Sequence, residues 1–197
     1  MTDGSDHSAT SATSLHAGLL IVTGASHTGK SSVIRSLLTN LEPPVALLGV
    51  DDLLAMTLVQ PRGDRWAEIP LAYELIQRQI GLLLARGWFV VVETTFTYVP
   101  LKGEPTFHWE TLEQMVRLAE QHGAAWFLCQ VEAPLELALQ RSARSGRLPR
   151  QVVAATVELH DSAEIPEPVL RLSSADRTPD ELAQTLITEF SLPITRR

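Results

Sequence analysis

The sequence predicts a three-layer α/β fold built on a mostly parallel five-stranded sheet. Three observations predict it. Five short apolar runs are spaced along the chain, amphipathic segments lie between them, and the runs end in glycine or polar residues. Short unbroken apolar runs suit strands covered on both faces, as parallel strands are. Their alternation with helical patterns asks for right-handed crossovers that place helices on both sides of the sheet.

The first run is Gly18 to Thr23, the second Val45 to Val50, the third Trp88 to Val92, the fourth Ala125 to Val131 and the weaker fifth Val169 to Leu172. A helix is expected from Lys30 to Asn40. Between Ile69 and Arg86, Leu71, Leu75, Ile76, Ile80, Leu83 and Leu84 recur at helical spacing, and Arg86-Gly87 supplies a basic last turn and a stop. Trp109 to His122 repeats the pattern with Leu112, Met115, Val116 and Leu118 inward and Gly123 as its stop. Pro134 to Ser142 and Arg150 to His160 also read as helices. Thr178-Pro179-Asp180-Glu181 is a capping box with proline at the first helical position, opening a last helix towards Phe190. Met1 to Ala17, rich in Ser, Thr, Asp and Gly, reads as a disordered tail, leaving one domain over residues 18 to 197.

Composition narrows the function classes. The chain has 197 residues, 45% of them hydrophobic, and a formal net charge of -7. That balance argues against a broad nucleic-acid groove, which needs clustered Lys and Arg. The single cysteine, Cys129, lies in an apolar run, so it reads as a core thiol, and a reducing, cytoplasmic setting fits. No apolar run reaches bilayer-spanning length, and the N-terminus lacks the basic-then-apolar pattern of a signal peptide, so no membrane partner is expected.

The chemistry is carried by Gly24-Ala25-Ser26-His27-Thr28-Gly29-Lys30-Ser31, which matches G-x-x-x-x-G-K-[ST] in full between a predicted strand and a predicted helix. Glycines let the loop turn its N–H groups inward as an anion nest at the positive end of a helix. Residues Gly24 to Ser31, with Ser32 behind them, are therefore expected to hold a nucleotide's phosphates. Lys30 should reach the β and γ phosphates, and Ser31 should offer its hydroxyl to Mg²⁺. His27 fills a variable loop position.

Ligands of open α/β sheets sit beyond the carboxyl ends of the strands. Asp51 and Asp52 follow the second run, and Glu93, Thr94 and Thr95 the third. Phosphoryl transfer needs a phosphate cradle, a metal ion, cations and a group that orients or deprotonates the acceptor. Asp51 suits that last role, with Asp52 as the cap of a short helix beginning at Leu53, and Glu93 suits the metal. Arg141, Arg144, Arg147 and Arg150 recur every three residues around Gly146 and Pro149, the composition of a short arginine-rich lid. Ser173 to Asp176, after the fifth run, are placed by sheet position to flank the base.

These residues resemble the small P-loop kinases, particularly chloramphenicol phosphotransferase, with polynucleotide kinase and zeta-toxin-type kinases as relatives. The resemblance spans nearly all of Leu19 to Phe190. Gly49-Val50-Asp51 followed by Leu53 resembles the segment carrying the general base, which implies that role for Asp51. Val131-Glu132-Ala133-Pro134 and Arg141-Ser142-Ala143-Arg144-Ser145-Gly146 resemble the run into a lid whose arginine contacts phosphate. That implies Arg144 or Arg147 as catalytic and Arg141 as a nucleotide contact. The resemblance also implies ATP as donor and a small-molecule hydroxyl, an antibiotic among the candidates, as acceptor. A 5′-hydroxyl polynucleotide kinase and a nucleotide-dependent regulatory NTPase are the alternatives. Two departures bear on the acceptor: Glu93 stands where such relatives usually carry aspartate, and Phe96 to His108 forms a long aromatic rim loop of its own.

Overall fold

A computed structural model describes residues 17–57, 68–98, 106–146 and 148–195. The expected tail, apart from Ala17, lies outside them. The element order is β1 (Gly18–Thr23), α1 (Lys30–Leu38), β2 (Val45–Gly49), α2 (Val50–Thr57), α3 (Ile69–Leu84), β3 (Phe89–Glu93), β4 (Thr97–Tyr98), β5 (Thr106–Phe107), α4 (Trp109–Gln121), β6 (Ala125–Glu132), α5 (Leu135–Ser145), α6 (Arg150–Ser162), β7 (Leu170–Ser173) and α7 (Pro179–Glu189). Five strands form one sheet in the order β2-β3-β1-β6-β7, every neighbouring pair parallel. Parallel pairing puts all five carboxyl ends on one rim.

β1 lies at the centre, which explains its unbroken apolar sequence. Leu19 and Ile21 pack with α3 and α4, while Leu20 and Val22 pack with α1 and α7 on the opposite face. β3 divides in the same way, Val90 and Val92 to one face and Phe89 and Val91 to the other. Each such side chain stabilises the fold by about 1.5–3 kcal/mol on burial. Cys129 is fully buried, as expected of a core thiol, and burial pushes its pKa up to about 12. The capping box of α7 forms as read: the Thr178 hydroxyl accepts from Glu181 N, and the Glu181 carboxylate accepts from Thr178 N at 2.7 Å.

Three expectations need correction. β2 is an edge strand, not one buried on both faces, and its Leu47 is 40% exposed. α3 turns Ile69, Ala72, Tyr73, Ile76, Ile80 and Leu84 inward and leaves Leu71 exposed. Tyr73 takes the core position because its ring packs on Phe96 while its hydroxyl finds a partner at the rim. Finally, the ends of the Phe96–His108 segment pair as a small antiparallel hairpin, Thr97 with Phe107 and Tyr98 with Thr106; residues 99–105 lie outside the described residues. Among the described residues no helix is long and apolar enough to cross a membrane.

Candidate active site

The phosphate loop begins where β1 ends. Gly24 takes φ 138°, and a Cβ there would stand 2.2 Å from the Val131 carbonyl oxygen, so the position admits only glycine. His27 at φ 63° and Gly29 at φ 105° complete the turn, and Gly29 is the residue before the first turn of α1. The buried Thr28 hydroxyl donates to the Ala25 carbonyl at 3.0 Å and pins the turn from inside. Lys30 curls back over the loop, its Nζ donating to the Gly24 carbonyl at 2.9 Å and to the Ala25 carbonyl at 2.8 Å. Burial lowers the pKa of that ammonium, and the charges of Glu93 and Asp51 oppose the shift. A cation held at the loop, with two carboxylates within electrostatic reach, sits where a polyphosphate needs it.

Ser31 and Glu93, 62 positions apart, meet on this rim. The Ser31 hydroxyl donates to Glu93 Oε1 at 2.6 Å. Among the described residues no three His, Cys, Asp or Glu side chains gather as a closed metal cage. One hydroxyl and one carboxylate suit Mg²⁺, which commonly takes one or two protein oxygens and fills the rest with phosphate oxygens and water. Asp51 lies exposed in the first turn of α2, and its charge acts on Lys30 and Tyr73. Asp52 is not a helix cap, because α2 already begins at Val50. It folds back instead, and a Cβ on Gly49 would lie 2.7 Å from its Oδ2.

The lid side is anchored by Arg141 of α5. Its Nη1 donates to the Thr28 carbonyl at 2.9 Å, the His27 carbonyl at 3.4 Å and Ser174 Oγ at 2.9 Å; its Nη2 donates to the Ser174 carbonyl at 3.1 Å. Ser174 Oγ donates to the Thr28 carbonyl at 2.6 Å. Arg141 therefore straps the back of the phosphate loop to the segment after β7, and desolvation lowers its pKa. This brings Ser174 beside the loop. Ala25 packs against Ala138 of α5 and Val153 and Val157 of α6, so these two helices rest on the loop itself. Arg144 lies exposed in the last turn of α5, and Arg147 falls outside the described residues. Ser26 and Ser32 are half-buried, and Ser32 N donates to the Gly29 carbonyl at 3.0 Å inside the first turn of α1.

Beyond Glu93 the chain is held at each step. Thr94 Oγ1 is 2.9 Å from the Tyr73 hydroxyl and accepts from Phe96 N at 3.1 Å. Burial raises the pKa of Tyr73, which keeps it a neutral phenol. Phe96 is fully buried at φ 51°, a strained angle for a side-chain-bearing residue, and its carbonyl accepts from His108 N at 2.8 Å. Beside this segment a cleft of about 420 Å³ opens between α3 and α4, lined by Tyr73, Glu74, Gln77, His108, Glu110 and Thr111 among others. Sequence reading missed Tyr73, Ser174 as a loop strap, and His160, whose ring lies against Thr95. A tyrosine in a core stripe and a histidine ending a helix carry no motif.

The fold is shared with solved kinases and a resistance protein. The tunicamycin resistance protein of Deinococcus radiodurans aligns with a TM-score of 0.63 at 13% identity, covering 92% of this chain and 100% of the other. The APS kinase of Mycobacterium tuberculosis, solved with AMPPNP and APS, gives a TM-score of 0.58 at 22% identity, covering 89% and 98%. A gluconokinase from Sinorhizobium meliloti 1021 gives 0.58 at 16% identity, covering 88% and 91%. No curated protein matches the chain by sequence. Residues 19–162 match the family described as an AAA domain, and with its phosphate loop and five-stranded parallel sheet the chain belongs to that family.

Proposed function

We propose that this chain is a phosphotransferase that moves the γ-phosphate of ATP to a hydroxyl of a small molecule. The observation that carries the reading is the convergence on one rim of Lys30 on the phosphate loop, the Ser31–Glu93 pair, and Asp51 within electrostatic reach of Lys30. The kinases that share the fold support it, as does the AMPPNP held by one of them.

In this reading the loop N–H groups and Lys30 hold the β and γ phosphates. Mg²⁺, when bound through Ser31 and Glu93, supplies charge to the phosphate oxygens. Asp51 accepts the proton of the acceptor hydroxyl as that oxygen attacks phosphorus in line. The new O–P bond forms while the bond from the γ-phosphorus to the bridging β-oxygen breaks, and ADP leaves. Arg144 of α5, or Arg147, neutralises charge on the transferred group. Arg141 contributes by fixing the loop's shape. The acceptor is read as a small molecule because the cleft beside Tyr73 carries Glu74 and Glu110 and no Lys or Arg among its described lining, a poor match for a polynucleotide backbone.

Incubation with Mg²⁺ and γ-labelled ATP against hydroxylated antibiotics, sugars, nucleosides and a 5′-hydroxyl oligonucleotide tests the proposal. Label should appear on a small hydroxylated compound. Label on the oligonucleotide alone would overturn the acceptor class. Phosphate release indifferent to every acceptor would overturn the kinase and favour a regulatory NTPase.

A further inference from the structure

α6 joins the lid to the core: its first residue, Arg150, follows the lid turn, and its last turn carries His160. His160 is 2% exposed. Its Nε2 lies 2.9 Å from the Thr95 carbonyl oxygen. A carbonyl only accepts, so Nε2 carries the proton and Nδ1 the lone pair. Two facts agree with this neutral tautomer. Burial and the nearby Lys30 charge push the pKa of His160 down to about 3, against the opposing Thr95 hydrogen bond. Nδ1 has no hydrogen-bond partner among the described residues, which costs less for a lone pair than for an orphaned donor.

The position of Thr95 gives this contact its consequence. It lies two residues beyond Glu93 and directly before the strained Phe96. Thr94 is held from the other side by Tyr73 of α3. The His160 ring also meets Phe107 of the hairpin edge-on, with centroids 5.0 Å apart. It lines a cavity of about 10 Å³ together with Ala25 and Thr28 of the phosphate loop. One imidazole thus touches the exit of β3 and the acceptor-side hairpin, and reaches the rear of the phosphate loop, from the base of the lid.

We propose that His160 is a positioning residue: its Nε2–H fixes the Thr95 carbonyl, so that the lid base, the Glu93 carboxylate and the hairpin keep one geometry. The proposal deepens the kinase reading and rests on it for its catalytic consequence. Histidine suits the task because it gives a rigid, uncharged donor beside a buried lysine; arginine or lysine would add a second cation there.

His160→Leu and His160→Gln in the full chain test it. Leucine keeps the bulk and loses the donor, whereas glutamine keeps a donor of similar reach. Without nucleotide, amide exchange at residues 96–98 should speed by about tenfold in His160→Leu, the worth of one hydrogen bond, and return towards wild type in His160→Gln. The Mg²⁺ concentration needed for half-maximal binding of a fluorescent ATP analogue should rise several-fold in the leucine variant only, with metal-free binding unchanged. Unchanged exchange in His160→Leu, or a glutamine variant as loose as the leucine one, would overturn the proposal. If the leucine variant does not fold, ¹⁵N spectra of wild type decide. Protonated Nε2 and bare Nδ1 persisting down to about pH 5 support the anchor, and a proton on Nδ1 refutes it. Failure of wild type to bind Mg²⁺–ATP would instead sink the kinase reading, while the exchange result would still judge the anchor.

Discussion

The two halves of the rim are built differently. On the donor side, the carbonyls of Gly24, Ala25, His27 and Thr28 each accept from a side chain, supplied by Lys30, Thr28, Arg141 or Ser174. The loop is locked before any ligand arrives. On the side where we propose the acceptor binds, Asp51 rides exposed on the first turn of α2, and Glu93 is steered by one serine hydroxyl. Its rigidity lies one shell back, in Tyr73, Thr94, the Phe96 turn and His160. A triphosphate presents the same anionic groups each time it binds, so a fixed cradle suits it. An acceptor has to be admitted and then aligned, which suits charged groups on an accessible rim supported by buried polar contacts.

Substitutions on the two halves should separate accordingly. Lys30→Ala, on the donor side, should cost about a thousandfold in transfer rate, because it removes a cation aimed at the transferring phosphate. Titration with ATP should show weakened binding as well. Asp51→Asn should lower transfer by about a hundredfold or more and leave nucleotide affinity unchanged, the pattern of a lost base. If Asp52→Asn gave that loss instead, the two carboxylates would exchange roles. Glu93→Gln should raise the Mg²⁺ requirement by about tenfold while metal-free nucleotide binding persists.

The smallest effect concerns stability. The folded-state pKa of His160 lies at about 3, below the ordinary value of 6.5. The unfolded chain therefore binds a proton that the folded chain does not as pH falls below 6.5. The contribution is fully present above that pH and is lost on the way down, by up to about 1.4 kcal/mol per unit. The charge of Lys30 acts on this ring, and Glu132 and Asp161 line the same small cavity, so the comparison has to be made against a variant. Between pH 7.5 and 5.5, urea unfolding should show wild type losing about 1.4 kcal/mol more than His160→Gln. Equal losses would contradict a neutral buried ring.

The same contrast explains what could be read in the sequence. Gly24 to Ser31 is contiguous, so its spacing announces both structure and ligand, and the apolar runs of the central strands announce the sheet. Asp51 and Glu93 were legible as the first polar groups after apolar runs. Asp52 was misread because the helix starts at Val50, and Leu71 because a helical stripe shows period without showing which neighbour covers each turn. The acceptor-side framework was illegible for a physical reason. Tyr73, Thr94, Thr95 and His160 come from three separate stretches, and their meeting is a property of packing, with no local spacing to mark it.

We propose that a nucleotide held on the phosphate loop faces a hydroxyl aligned by Asp51. Single-turnover transfer of label from γ-labelled ATP to the acceptor found by screening, in wild type and Asp51→Asn at saturating Mg²⁺, tests it most directly. Wild type should transfer label rapidly and the variant should lose about a hundredfold, with ATP affinity the same in both. Equal transfer rates in the two proteins, or phosphate released only to water, would contradict it.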